Sequence, residues 1–201
     1  MKLYYLKGAC SLASYISLCE AGLKFEAVSV DRQTRKTSDS EDFNQVNTKG
    51  YAPVLRLDNG EVLTENVAVL QYIADQAPAS KLAPPAGTLP RYRLIEWLAF
   101  INSEVHKAVS PLFNPAASEE VKAFARTNLT KRVDWLEKNL GSRPFLMGDT
   151  FTVADAYLFV VFGWFGRVGF DPSKWPTLKA YHERITTRPA VQQALKGEGL
   201  I

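Results

Sequence analysis

Apolar positions recur on two different periods along this chain, and the change from one to the other divides it. Leu3-Tyr4-Tyr5-Leu6 is a short apolar run between Lys2 and Lys7, which reads as a strand. From Ser11 the spacing switches. Leu12, Tyr15, Ile16 and Cys19 recur at helical intervals, predicting an amphipathic helix to about Ala21 with Gly22 as its stop. Phe25 to Val30 is a second strand-like run, so the order strand, helix, strand predicts a crossover unit with parallel strands. Val54 to Leu57 and Val62 to Leu63 then flank Asp58-Asn59-Gly60, and Asn-Gly between short apolar runs predicts a hairpin. Thr64 is expected to cap the next helix, whose stripe of Val67, Leu70, Ile73 and Ala74 stops before Pro78. Asp31 to Ala52 has neither period and is expected to be irregular.

Pro78, Pro84, Pro85, Gly87 and Pro90 crowd the next stretch, which is therefore a linker and a domain boundary. Beyond it only helical stripes occur, over roughly Arg91 to Ser110, Ser118 to Leu140, Thr152 to Arg167 and Trp175 to Thr187. The expected fold is an α/β thioredoxin-like domain over residues 1–80, given by the order βαβ then ββα, followed by an all-α domain over residues 88–201.

Composition narrows the partners. At 201 residues and 46% hydrophobic content the chain can bury a sizeable core. Its 24 basic and 21 acidic residues nearly balance, leaving a net charge of +3 with no Lys/Arg-rich run. No nucleic-acid partner is expected. The N-terminus lacks the apolar stretch of a secretion signal, and the most apolar segment, Ala156 to Phe165, is too short to cross a bilayer. No membrane partner is expected, and the expected location is the cytoplasm. No Cys/His grouping has zinc-ligand spacing, so no metal is expected.

Cys10 is the chemically most telling residue. It stands where the first strand gives way to the first helix, and the unpaired N–H groups at a helix N-terminus favour a thiolate there. Cys19 falls on the apolar face of the same helix. Nine residues of helix rise by roughly 13 Å, too far for a disulfide, which needs Cα atoms about 4.4 to 6.8 Å apart. Pro53 opens the third strand; it is either an edge device or a cis proline whose preceding residue pairs with an extended peptide, and the surrounding element order favours cis. Glu65 and Asn66 in the first turn of the third helix serve either as dipole-complementing groups or as a clamp on an amino-acid head group, Asn66 and the helix N-terminus holding the carboxylate and Glu65 the ammonium. On the fourth helix, Ala99, Asn102, Ser103 and His106 form a small polar face beside the apolar stripe of Leu94, Trp97, Leu98, Ile101 and Val105. A lone histidine is more often structural than catalytic, and His182 reads as structural. Thr152-Val153-Ala154-Asp155 reads as a capping box with Asp in the third position. Tyr4, Tyr5 and Ser11 are rival activating hydroxyls; the tyrosines read as packing residues, and Ser11 as a possible N-cap.

Taken in order, Met1 to Ala13, the Gly50-Tyr51-Ala52-Pro53-Val54-Leu55 loop, Leu63-Thr64-Glu65-Asn66-Val67-Ala68, Glu104-Val105-His106-Lys107, Phe151 to Tyr157 and Glu198-Gly199-Leu200 resemble bacterial beta-class glutathione transferases across both domains. The resemblance implies a homodimer with glutathione as co-substrate and a small apolar electrophile as its partner in the reaction. It implies Cys10, His106 and Ser11 as the groups that act on the glutathione thiol, with Ala52 beside Pro53 pairing to the tripeptide backbone. Glu65 and Asn66 would hold the γ-glutamyl head, Arg35 the glycine carboxylate in place of the usual lysine, and Ser103 and Glu104 would lie near the site. Phe113 and Trp164 are the candidates for the electrophile pocket. Ala99 departs from the asparagine the family often carries, leaving Asn102 one turn along as a possible substitute. Cys10 would either activate glutathione or form a mixed disulfide with it, and with Ala13 where a second cysteine would stand, no resolving thiol is near. The rival is a non-catalytic binding protein that kept the fold.

Overall fold

The computed structural model describes residues Met1 to Ile201. Two compact units divide the chain, one of Met1–Ala83 together with Thr187–Ile201 and one of Pro84–Thr186.

In the first unit, β1 (Lys2–Tyr5), α1 (Ser11–Glu20) and β2 (Glu26–Ser29) form the expected crossover, with Lys2 opposite Glu26 and Tyr5 opposite Ser29 in a parallel pair. After a short helix, α2 (Phe43–Val46), come β3 (Val54–Arg56) and β4 (Val62–Thr64), antiparallel to one another, and then α3 (Asn66–Gln76). The sheet order is β2-β1-β3-β4. Because strand side chains alternate, Leu3 joins Leu18, Leu55, Val69 and Ile73 on one face, while Tyr4 joins Val28, Val30, Phe43 and Val54 on the other. The turn at Asp58-Asn59-Gly60 is present, with Gly60 at φ 88°.

Four expectations change here. Residues 31–52 are not wholly irregular, since Asp42 caps α2 by accepting from the Asn44 N–H at 3.0 Å. Thr64 ends β4 instead of capping α3; Glu65 occupies the cap position at φ 68° with no side-chain cap bond, and the Thr64 hydroxyl accepts from Lys49 at 3.0 Å. A helix beyond those predicted, α9 (Pro189–Gly197), follows the last expected one. It packs on α1, where Arg188 pairs with Glu20 at 2.6 Å and any side chain at Gly197 would overlap the Tyr15 hydroxyl. The second expected domain ran to residue 201, but this packing groups the terminal segment with the sheet unit.

The second unit is all-helical. Thr88 caps α4 (Leu89–Phe100), which passes into a π-helical turn over Ile101–His106 and a last stretch, α5 (Lys107–Val109). Ser118 caps α6 (Glu119–Leu140), and α7 (Val153–Gly163) and α8 (Pro176–Thr186) follow. Every residue from Val153 to Phe162 is buried, so α7 is the central helix of this unit. No helix of the chain is long and apolar enough to cross a membrane.

Candidate active site

The first unit gathers Cys10, Ala52, Pro53, Glu65 and Asn66 around the N-termini of α1 and α3. Cys10 is the residue before the first turn of α1, is half-buried, and its Sγ–H donates to the Ala52 carbonyl at 3.5 Å. The Ala52–Pro53 peptide bond is cis. Ser11 is fully buried, and its hydroxyl accepts from Leu6 N–H at 3.1 Å and donates to Leu6 C=O at 3.2 Å. It shapes the loop ahead of the thiol. In that loop Gly8 adopts φ 68°, and its N–H donates to Glu198 Oε2 at 2.7 Å. Glu198 is 4% exposed and its Oε1 has no hydrogen-bond partner. Burial pushes its carboxyl up to about 7.

Asn66 is also turned inward. Its Oδ1 accepts from the Ser14 hydroxyl at 2.8 Å and its Nδ2 donates to the Cys10 carbonyl at 3.3 Å. The side chain thus ties α3 to α1, and no side-chain cap bond occupies the N-terminus of α3. Glu65 is exposed, at a backbone angle that a non-glycine residue adopts only under strain. Its Oε1 pairs with Lys49 Nζ at 2.8 Å. Arg35, half-buried and at φ 60°, donates to the Gly50 carbonyl and lies 5.0 Å over the Phe43 ring. Cys19 is half-buried, and burial drives its thiol up to about 11.

The second unit holds the remaining candidates. His106 ends the π-helical turn, and its Nδ1 lies 2.7 Å from the Tyr157 hydroxyl. Tyr157 in turn donates to Asn102 Oδ1 at 3.0 Å. Burial, with Lys107 adding to it, pushes the imidazole down to about 4. Trp164 stands edge-on to His106 at 5.0 Å and to Phe113 at 5.9 Å between ring centroids. An apolar aromatic wall therefore adjoins the histidine. Ser103 donates to its own helix at the Ala99 carbonyl, and Glu104 pairs with Arg132 at 2.7 Å. His182 stacks on Phe159 at 4.4 Å, a packing role. No group of three or more His, Cys, Asp or Glu side chains is arranged to hold a metal ion.

Lys49, Tyr157 and Glu198 take part without having been singled out. The single hydroxyl in a helix, 153–163, that is apolar apart from Asp155 demands a buried partner, which was the available signal for Tyr157. Lys49 and Glu198 carry no such mark, because their partners come from distant parts of the chain.

A thioredoxin-like sheet unit with a thiol at a helix N-terminus and a cis proline beside it, continued by an all-helical unit, defines a class of thiol-handling proteins. Comparison with known proteins narrows the class. The glutathione S-transferase N-terminal domain matches residues 1–75 and the C-terminal domain residues 100–189. The chain is 43% identical to glutathione S-transferase GstA of Escherichia coli O157:H7, with 100% of each covered. A sphingomonad glutathione S-transferase solved in complex with glutathione is 53% identical, with a TM-score of 0.97 and 100% of each chain covered. A beta-class enzyme from Sphingomonas chungbukensis is 52% identical at a TM-score of 0.96, again with 100% of each chain covered. This chain belongs to the glutathione S-transferase family.

Proposed function

We propose that the protein binds glutathione on its sheet unit and adds the tripeptide's thiolate to small apolar electrophiles. The observation that carries this reading is the Cys10 thiol at the start of α1, bonded to the carbonyl of Ala52 ahead of cis Pro53, with Asn66 fastening the start of α3 to Cys10. Ala52 would pair with the peptide backbone of glutathione. The γ-glutamyl carboxylate would take the N–H groups at the start of α3, and Glu65 would meet its ammonium. Arg35 would answer the glycine carboxylate. Cys10 and the N-terminus of α1 would act on the sulfur, Ser11 through the loop it holds; the catalytic role of His106 and the electrophile-receiving role of Phe113 and Trp164 are taken from the family resemblance. In the reaction the S–H bond breaks and the sulfur pair forms a bond to the electrophilic carbon; in a substitution the leaving group departs with its bonding pair and the thiol proton goes to it or to water, and in an addition the π electrons shift onto the neighbouring atom, which takes up a proton.

The family places catalysis ahead of a purely ligand-carrying role. Because Cys10 is a partly accessible thiol in no disulfide, a second activity belongs to the reading, in which its thiolate attacks a glutathione disulfide and releases one glutathione. A homodimer working in cytoplasmic detoxification completes the proposal, with Ser103 and Glu104 placed near the site. Retention on immobilised glutathione, followed by turnover of glutathione with a chlorodinitrobenzene, tests it. Retention with turnover supports the transferase, and retention with no turnover of any electrophile would leave a carrier.

A further inference from the structure

Lys49 and Glu65 form an ion pair where the amino-acid head of glutathione would lie, and the pair is incomplete on both sides. Lys49 Nζ donates to Glu65 Oε1 at 2.8 Å and to the Thr64 hydroxyl at 3.0 Å. An ammonium has three N–H donors, so one remains. Glu65 Oε2 makes no bond within the chain. The two side chains are 52% and 67% exposed, and an exposed pair of this kind adds little to folding stability. The backbone at both ends is nevertheless fixed. The Lys49 N–H donates to Asn47 Oδ1 at 3.1 Å, and the Asn47 side-chain amide donates to the Tyr51 carbonyl at 2.8 Å, one residue before Ala52. Thr64 stands opposite Val54 across the β3–β4 pair, and the Glu65 carbonyl accepts the first helical bonds of α3 from the Ala68 and Val69 N–H groups.

The head group of glutathione carries its ammonium and its carboxylate on one carbon. Drawing the ammonium onto Glu65 therefore brings the carboxylate close to a like charge, where repulsion is strongest. The N-terminus of α3 offsets roughly half an elementary charge of it. A full cation is needed for the rest, and Lys49 is the one that the fold sets against Glu65. The charge of the whole ligand agrees. Two carboxylates and one ammonium leave glutathione with a net negative charge, whereas Glu65 and Arg35 alone would cancel. We propose that Lys49 is a glutathione-binding residue, its remaining N–H donating to the γ-glutamyl carboxylate while Glu65 Oε2 accepts from the ammonium. Ion pair and head group then lock together as four alternating charges. The inference rests on the glutathione reading above and supplies the cation for its γ-glutamyl end. Arg35, which donates to the Gly50 carbonyl next to Lys49, is left to the glycine end.

Calorimetry with glutathione and two analogues tests the assignment. γ-Aminobutyryl-cysteinyl-glycine keeps the ammonium and lacks the head-group carboxylate, while glutaryl-cysteinyl-glycine keeps the carboxylate and lacks the ammonium. Lys49→Met is expected to weaken binding of glutathione and of the glutaryl peptide by about fivefold each, the upper range for an exposed charge pair. The wild-type preference for glutathione over the γ-aminobutyryl peptide should shrink by the same factor. Lys49→Arg, which keeps a cation with spare donors, should hold that preference. Glutathione affinity in Lys49→Met equal to the wild type would overturn the proposal, and so would a gain, which is the mark of a lysine that only blocks Glu65. Equal weakening of all three peptides would overturn it as well, placing Lys49 on the glycine carboxylate or on the loop alone. Failure of the wild type to bind glutathione at all would instead overturn the functional reading beneath it.

Discussion

Ser11 and Asn66 carry polar groups that look like ligand contacts in the sequence and are spent inside the protein, on Leu6 and on Ser14 and Cys10. Glu65, by contrast, keeps its carboxylate exposed, paired with Lys49, and the Cys10 thiol is only half-buried. Two predictions follow at this scale. Oxidised glutathione should add one tripeptide per chain, at Cys10, because the buried environment of Cys19 raises its thiol to about 11 and leaves little thiolate near neutrality. Intact mass and peptide mapping read this out, and modification of Cys19 first would contradict it. Glu65→Ala should weaken glutathione binding by about 1.5 to 3 kcal/mol, the worth of a hydrogen bond to a charged group. Calorimetry showing wild-type affinity would remove Glu65 from the site. The types and order of these residues were legible in the sequence. Their hydrogen-bond partners were not, because each partner lies on another element.

Among the elements, α7 shows a local signal that understated its own role. The capping box expected at Thr152 and Asp155 is present, with Asp155 Oδ2 accepting from the Thr152 N–H at 2.8 Å. Asp155 also accepts from the Thr152 hydroxyl, the Leu146 N–H and the Tyr181 hydroxyl, and it has no solvent exposure. A cap alone is worth about 0.5 to 2 kcal/mol. Asp155→Ala leaves several buried donors unpaired, each costing about 1 to 3 kcal/mol, so a loss of at least about 3 kcal/mol is expected in denaturant unfolding. A loss below about 1 kcal/mol would reduce Asp155 to an ordinary cap. The segment after α9 makes a different prediction. Glu198 has a folded-state pKa of about 7 against an ordinary 4.5, chiefly through burial, with Gly8 and Lys7 opposing. The folded protein then holds this proton more tightly than the unfolded chain, so its contribution to stability is present below about 4.5 and falls as pH rises to about 7. Stability of the wild type relative to Glu198→Gln should therefore drop by about 3 kcal/mol between pH 4.5 and 8. A pH-independent difference in paired unfolding curves would refute it.

For the whole molecule, the reading as a homodimer predicts a species of twice the chain mass in sedimentation equilibrium at micromolar concentration; a monomer throughout would reject it. At this scale the division between sequence and structure has a physical origin. Hydrophobic period, the Asn-Gly turn and the proline-rich boundary are local properties of the chain, so they determined the two kinds of unit, the order of the strands and the place of Cys10 at a helix start. The family, too, was legible, because its motifs are short stretches in a set order. The tertiary structure decided what depends on approach between distant segments. α9 has a short stripe that acquires meaning only against α1, where Glu20 and Tyr15 meet Arg188 and Gly197. Glu198 is an ordinary terminal glutamate until Gly8 and burial claim its carboxyl. The partner of His106 Nδ1 is a tyrosine 51 positions away, a pairing made by approach between two helices that no local pattern records.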